Sequence, residues 1–250
     1  MIERQRRSRA EISAATRAIY EDSLRGSNHL SGGNFSSIHT GDLERLFDLY
    51  DERCFDGGCR EMLGDTPLSF RLSKRMTSAA GKATRLRHRD RRTKEVSTEY
   101  EIAVSTTLLF QTFEDDDRSI VMSGIECRNR LEALQRVLEH EMVHLIEFLI
   151  WQNSSCSAKR FQSVANRFFS HTEHTHQLIT PRERALTKFG IKPGTRVSFR
   201  LDGEHYMGVV NRITKRATVL VEDRRGVRYT DGKRYTKFYV PVALLNPAEK

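Results

Sequence analysis

The residues best suited to chemistry are His140-Glu141-Met142-Val143-His144, an H-E-x-x-H run. On a helix, positions i and i+4 lie one above the other, so the imidazoles of His140 and His144 can share one ion. Zinc suits such a pair, because it takes neutral imidazole nitrogens and keeps an open position for water. Glu141, next to the first ligand, can serve as general base and then pass the proton to a leaving amine. The bland reading is two surface histidines on an ordinary helix. Two histidines do not complete a catalytic zinc site. The longer pattern H-E-x-x-H-x-x-G-x-x-H is absent, since Glu147 and Trp151 stand at its Gly and third His. A cluster follows at His171, His174 and His176, either polar loop residues or the source of the third ligand.

The element that must hold the pair is a long helix from about Asn129 to Trp151, with Leu131, Leu134, Met142, Leu145 and Phe148 on its core face. A further helix covers 159–169. Upstream, Thr40 offers an N-cap to a helix carrying Leu43, Leu46, Phe47, Tyr50 and Cys54, ended by Asp56-Gly-Gly. Residues 69–76 and 97–106 read as strands, with the basic stretch between them as a hairpin loop. Residues 113–119 read as an acidic turn. Residues 1–25 form a polar helix with a weak apolar stripe, and 27–37, rich in Ser, Gly and Asn, reads as a linker.

Thr180-Pro-Arg-Glu183 opens a short helix that stops at Gly190. After Gly190 the apolar period changes from that of helix to that of strand. Strands are expected at 196–200, 206–213, 217–223, 226–230 and 234–240, separated by Asp-Gly-type turns. Five short strands in so few residues suggest a small antiparallel barrel of SH3-like or KOW-like type. The division is therefore 1–36, a polar helix and linker; 37–190, the domain of the H-E-x-x-H helix; and 191–250, a basic barrel. The fold class is α+β, a zincin-like helix-and-sheet domain followed by an all-β barrel.

The chain of 250 residues carries 42 Lys+Arg against 33 Asp+Glu, a net charge of +9. No apolar run is long enough for a membrane span and no signal-peptide core precedes the first helix, so a cytoplasmic protein with no membrane partner is expected. Four scattered cysteines make no disulfide framework. The charge is unevenly placed. Residues 191–250 hold 13 basic and 6 acidic residues, a net of +7. Residues 71–94 hold ten basic residues and one acid. Such patches fit a phosphate backbone. The residues expected to touch nucleic acid are Arg85, Arg87 and Arg89 in the loop, and Lys215, Arg216, Arg224, Arg225, Lys233, Arg234 and Lys237 in the barrel. Tyr229, Tyr235 and Tyr239 interleave with the latter and either stack on bases or face the barrel core.

Taken together, Cys54-Phe-Asp-Gly-Gly58, Arg75-Met76, a strand near Ile102 to Ser105 and Leu138-Glu-His-Glu-Met-Val-His144 resemble, in that order, the SprT-like metalloprotease family over roughly residues 40–185. The resemblance implies Zn²⁺, a protein substrate and work on proteins near or crosslinked to DNA, with DNA a stronger expectation than RNA and nucleoid association where DNA is bound. It also implies a third ligand, a His about fifteen residues after His144. That position is Lys159, followed by Arg160, with Phe161 retained. A charged lysine is a poor zinc ligand. Three outcomes stay open: a bond from His171, His174 or His176; a metal held by two histidines and water; or an inactive scaffold that binds nucleic acid. The zinc ribbon that often follows the family domain is absent, and the basic barrel stands in its place.

Overall fold

The chain divides into two units, Met1–Leu178 and Ile179–Lys250, in a computed structural model that describes residues 6–113, 120–175 and 177–248. Helix α1 (Arg9–Arg25) starts at Ser8, which forms a capping box with Glu11. Its stripe is not a frayed arm: Ile12 and Ile19 are buried, and the Gln135 side chain donates to the Thr16 carbonyl. The segment read as a linker is also packed. Leu30 and Phe35 are buried, and the Arg130 guanidinium donates to the Asn34 and Phe35 carbonyls. The polar composition of 27–37 concealed two apolar anchors, so residues 6–36 belong to the first unit.

Helix α2 (Thr40–Phe55) is followed by α3 (Gly58–Leu63). The N-terminal amides of α3 have no local cap, and Asp51 of α2 supplies one. Its carboxylate accepts from the Cys59 and Arg60 N–H groups at 2.8 and 2.9 Å. A three-stranded sheet follows: β1 (Leu68–Ser73), β2 (Gly81–Arg89) and β3 (Val96–Ser105), in the order β1-β3-β2. Strand β1 runs parallel to β3 and β2 antiparallel to it. The basic stretch is thus an edge strand and a turn rather than a loop. It escaped the sequence reading because both faces of its outer half are exposed, which leaves no apolar alternation.

Helix α4 (Thr106–Thr112) and a small hairpin, β4 (Ile120–Met122) with β5 (Ile125–Cys127), lead to α5 (Arg130–Trp151) and α6 (Lys159–Phe169). Most of the segment read as an acidic turn, 114–119, lies outside the described residues. Asn129 caps α5 by accepting from the Glu132 N–H. The core of this unit gathers Leu131, Leu138 and Met142 of α5, Phe47 and Tyr50 of α2, Ile102 of β3 and Phe168 of α6.

In the second unit α7 (Pro181–Phe189) is capped by Thr180 and carries Pro at its first turn. Ala185 belongs to the apolar core of the sheet that follows, so the boundary lies at Ile179 rather than near 190. The sheet comprises β6 (Arg196–Leu201), β7 (Glu204–Ile213), β8 (Ala217–Arg228), β9 (Arg234–Val240) and β10 (Asn246–Pro247), ordered β10-β6-β7-β8-β9. Every pair is antiparallel. The expected strands at 217–223 and 226–230 are one strand. The register against β9 shifts between Glu222 and Val227, so Asp223-Arg-Arg-Gly226 is a bulge, not a hairpin turn. A side chain at Gly226 would meet the Tyr235 backbone, which is why that position is glycine. Asp51→Ala should lower the stability of the first unit by about 2–3 kcal/mol, and Asp51→Asn by less, in urea unfolding followed by circular dichroism.

Candidate metal centre

Helix α5 brings His140 and His144 together at its middle. Their Nε2 atoms stand 3.2 Å apart. Two nitrogens bound to one tetrahedral zinc would stand about 3.3 Å apart. Phe161 of α6 packs on both rings, with centroids at 4.8 and 4.5 Å. A third candidate donor lies in the loop between α5 and α6. His140, His144 and Cys156 present ligand atoms within 4.8 Å of one another, the one such group among the described residues. Two imidazoles and a thiol are a zinc-type donor set that leaves a fourth position open. Sequence reasoning passed over Cys156 because the cysteines were read only for disulfides; all four are free. The missed signal was a thiol twelve residues after His144, a residue type as common in zinc sites as histidine.

Glu147 places that loop. Its carboxylate is fully buried and accepts from the Ser154 hydroxyl at 2.6 Å, the Ser155 N–H at 3.2 Å and Arg160 Nε at 2.6 Å. The Arg160 guanidinium also lies 4.5 Å over the Trp151 ring and donates to Asn153. The same carboxylate sets a tautomer. Ser154 Oγ gives its proton to Glu147, so it must accept from His144 Nδ1–H, 2.6 Å away. The His144 Nε2 is then left with a lone pair toward His140. Burial pushes the His144 pKa down to about 4, partly offset by Glu147, which keeps this imidazole neutral near pH 7.

Glu141 is buried and its Oε2 accepts from the Ala83 N–H of β2 at 2.6 Å. The strand lies this close because residue 81 is glycine: a Cβ there would stand 2.6 Å from Glu141 Oε1 and 2.8 Å from Val137 Cγ1. Burial lifts the Glu141 pKa to about 8, and the Ala83 bond pulls it back in part. A cleft of about 170 Å³ opens beside it, lined by Ala80, Gly81, Met122, His140, Glu141 and His174.

The three downstream histidines fare differently. His171 is buried and turned to Glu139, with Nε2 2.8 Å from Oε2, in a cluster where Tyr50 and Arg136 also bind that carboxylate. It is committed to this internal pair and stands outside the donor group. His174 is exposed and lines the cleft without joining the three donors. His176 lies outside the described residues. Of the expected nucleic-acid residues, Arg85 donates to the Gln152 carbonyl and side chain, while Arg87 and Arg89 are exposed on β2. Lys215, Arg216, Arg224 and Arg225 are exposed on turns and bulge. Lys233 pairs with Glu222 at 2.7 Å, Arg234 donates to the Gly226 carbonyl, and Lys237 lies 5.6 Å over the Tyr229 ring.

A model of the SprT-like family matches residues 43–180, more than half of the chain. The chain belongs to the SprT-like family. The match ends two residues past the first unit, so all of the second unit beyond Thr180 is outside the family's span. No curated protein and no solved structure gives a match. Family membership and the donor set together point to a zinc-dependent metalloprotease type of site. In this SprT-like protein Lys159 occupies the sequence position expected of the third ligand. It is exposed at the start of α6, and Cys156, three residues earlier, stands beside the histidines.

Glu141 has a folded-state pKa above its ordinary 4.5, so its contribution to stability is full below 4.5 and is lost as pH rises toward about 8. Metal-free Glu141→Gln should therefore melt higher than metal-free wild type at pH 8. The gap should close toward pH 5 in thermal scans, and a gap independent of pH would contradict the burial effect. Glu147→Gln and Cys156→Ser should each weaken zinc binding, the former by about 10–100-fold, in competition titrations with a chromophoric chelator.

Proposed function

We propose that this protein is a zinc-dependent endopeptidase that acts on proteins held near or crosslinked to nucleic acid. The observation that carries the reading is Cys156 beside the His140–His144 pair, which completes a three-ligand set on a family scaffold where the expected histidine is missing. Zinc, when bound, would act as a Lewis acid and make water a competent nucleophile near neutral pH. His140, His144 and Cys156 would hold it. His144 is kept in the ligating tautomer by Ser154 and Glu147. Glu141 takes a proton from the attacking water and delivers it to the departing amine. Its buried, raised pKa suits a group that must both take and give a proton near neutrality. The cleft beside it is small and its walls at Ala80 and Gly81 carry little side chain, which fits a site that accepts exposed polypeptide with little demand on sequence.

The nucleic-acid side of the reading is supported by charge. Arg87 and Arg89 project from the exposed half of β2, and the second unit, which we read as an SH3-like anchoring module, holds most of the net charge. DNA is the favoured polymer. The alternative is an inactive scaffold that only binds nucleic acid, motivated by Lys159 at the expected ligand position, and the measurement below separates the two readings. No helix among the described residues is long and apolar enough to cross a membrane.

The decisive measurement is zinc content by mass spectrometry together with cleavage of casein or a histone, with and without DNA. Wild type should bind one zinc and cleave, faster with DNA. Glu141→Gln should retain zinc and lose at least about 100-fold in rate. Zinc-loaded wild type that cleaves no better than Glu141→Gln would remove the enzyme reading.

A further inference from the structure

The outward face of the second unit's sheet carries a pattern that the core does not need. Directly paired residues of antiparallel strands lie on the same face. The register Arg196↔Val209, Val209↔Leu220 and Leu220↔Lys237 therefore traces one row across β6, β7, β8 and β9. Ser198↔Met207 flanks it on one side and Thr218↔Tyr239 on the other. The alternate row, Val210, Val219 and Phe238, turns inward to the core. On the outward face Met207 is 61% exposed, Tyr239 65% and Val209 37%. Scattered apolar residues on a surface need no account, but a contiguous set marks an interaction site.

The rim of this set is cationic. Arg196 and Lys237 close the two ends of the row, and Arg200 lies on the same face of β6 two residues beyond Ser198. The acid that shares the face, Glu222, is paired with Lys233 at 2.7 Å. On β9, Tyr235, Lys237 and Tyr239 alternate outward while Phe238 and Val240 go to the core. The row spans about 14 Å across four strands. An apolar and aromatic centre with a cationic rim matches unpaired bases flanked by phosphates. A duplex hides its base faces and would reach only the cations.

We propose that this face binds single-stranded nucleic acid, with bases on Met207, Val209 and Tyr239 and phosphates on Arg196, Arg200 and Lys237. This rests on the reading of the second unit as the nucleic-acid anchor and adds the face and the strandedness. The exposed arginines of the bulge, Arg224 and Arg225, lie outside the platform.

The test is fluorescence anisotropy of the full chain with a labelled dT oligonucleotide, a rU oligonucleotide, a duplex and an acidic peptide, over a salt series. The single strands should bind tighter than the duplex and the peptide. Met207→Ser with Tyr239→Ala should weaken single-strand binding about 10-fold or more with little change in salt slope, and Tyr239→Phe should restore most of Tyr239's share. Arg196→Ala with Lys237→Ala should reduce the slope by about 1.4. Arg224→Ala with Arg225→Ala should leave the preference for single strands intact. Unchanged melting temperatures would show that these exposed substitutions preserve the fold. A preference for duplex, tighter binding of the acidic peptide, or single-strand affinity indifferent to Met207 and Tyr239 would overturn this proposal. With nucleic-acid binding still present, any of those results leaves the anchoring reading standing. Absence of all nucleic-acid binding by wild type would overturn both.

Discussion

A single buried carboxylate, that of Glu147, is what the candidate metal centre depends on. An isolated charge of this kind would be costly inside the fold, and it is tolerated because Arg160, the Ser154 hydroxyl and the Ser155 amide all converge on it. Those three partners flank Cys156 on both sides in sequence. Satisfying the carboxylate therefore fixes the loop that carries the thiol. The same bonds reach His144 through Ser154, so one group sets both the place of one ligand and the tautomer of another.

Two further carboxylates of α5 are buried and each is committed to a different neighbour. Glu139 holds Tyr50 of α2, Arg136 and His171, and Glu141 holds the Ala83 amide of β2. A helix pinned by polar bonds in three directions cannot rotate without orphaning one of them, and orphaned buried charges are expensive. The apolar stripe alone would tolerate some sliding and rolling of α5. The carboxylates remove that freedom, and the histidine pair points at Cys156 as a consequence. His171 illustrates the cost of this arrangement: burial depresses its pKa while Glu139 works against that, and its Nδ1 is left without a partner among the described residues.

The net charge of +9 acquires a different meaning once the two units are separated. The unit that carries the metal motif has as many acidic as basic residues, even with the basic outer half of β2. The whole excess belongs to the sheet unit, where some of the cations are already used internally. Lys233 and Arg234 serve Glu222 and the Gly226 carbonyl, so counting basic residues overstates what is available to a partner.

Much of the metal-bearing helix was legible from local chemistry. The H-E-x-x-H spacing and the apolar stripe name α5, and the Thr180 cap and Gly190 name α7, because caps and periodicity act within a few residues. The change to strand periodicity after 190 likewise announces an antiparallel sheet. What sequence could not determine was anything resting on contacts distant along the chain. The basic stretch 81–89 has no apolar alternation and becomes a strand only because β3 pairs with one edge and α5 covers part of it. The linker-like 27–37 is ordered by Arg130, about a hundred residues away. Counting residues puts Lys159 at the place of the third donor and leaves that donor open, because counting fails in a loop whose path is set by side-chain bonds rather than by a regular rise. Sequence by itself determined the two histidines and the glutamate, because they share one helix. Tertiary structure decided that Cys156 joins them, because only the buried Glu147 brings that loop back onto the helix.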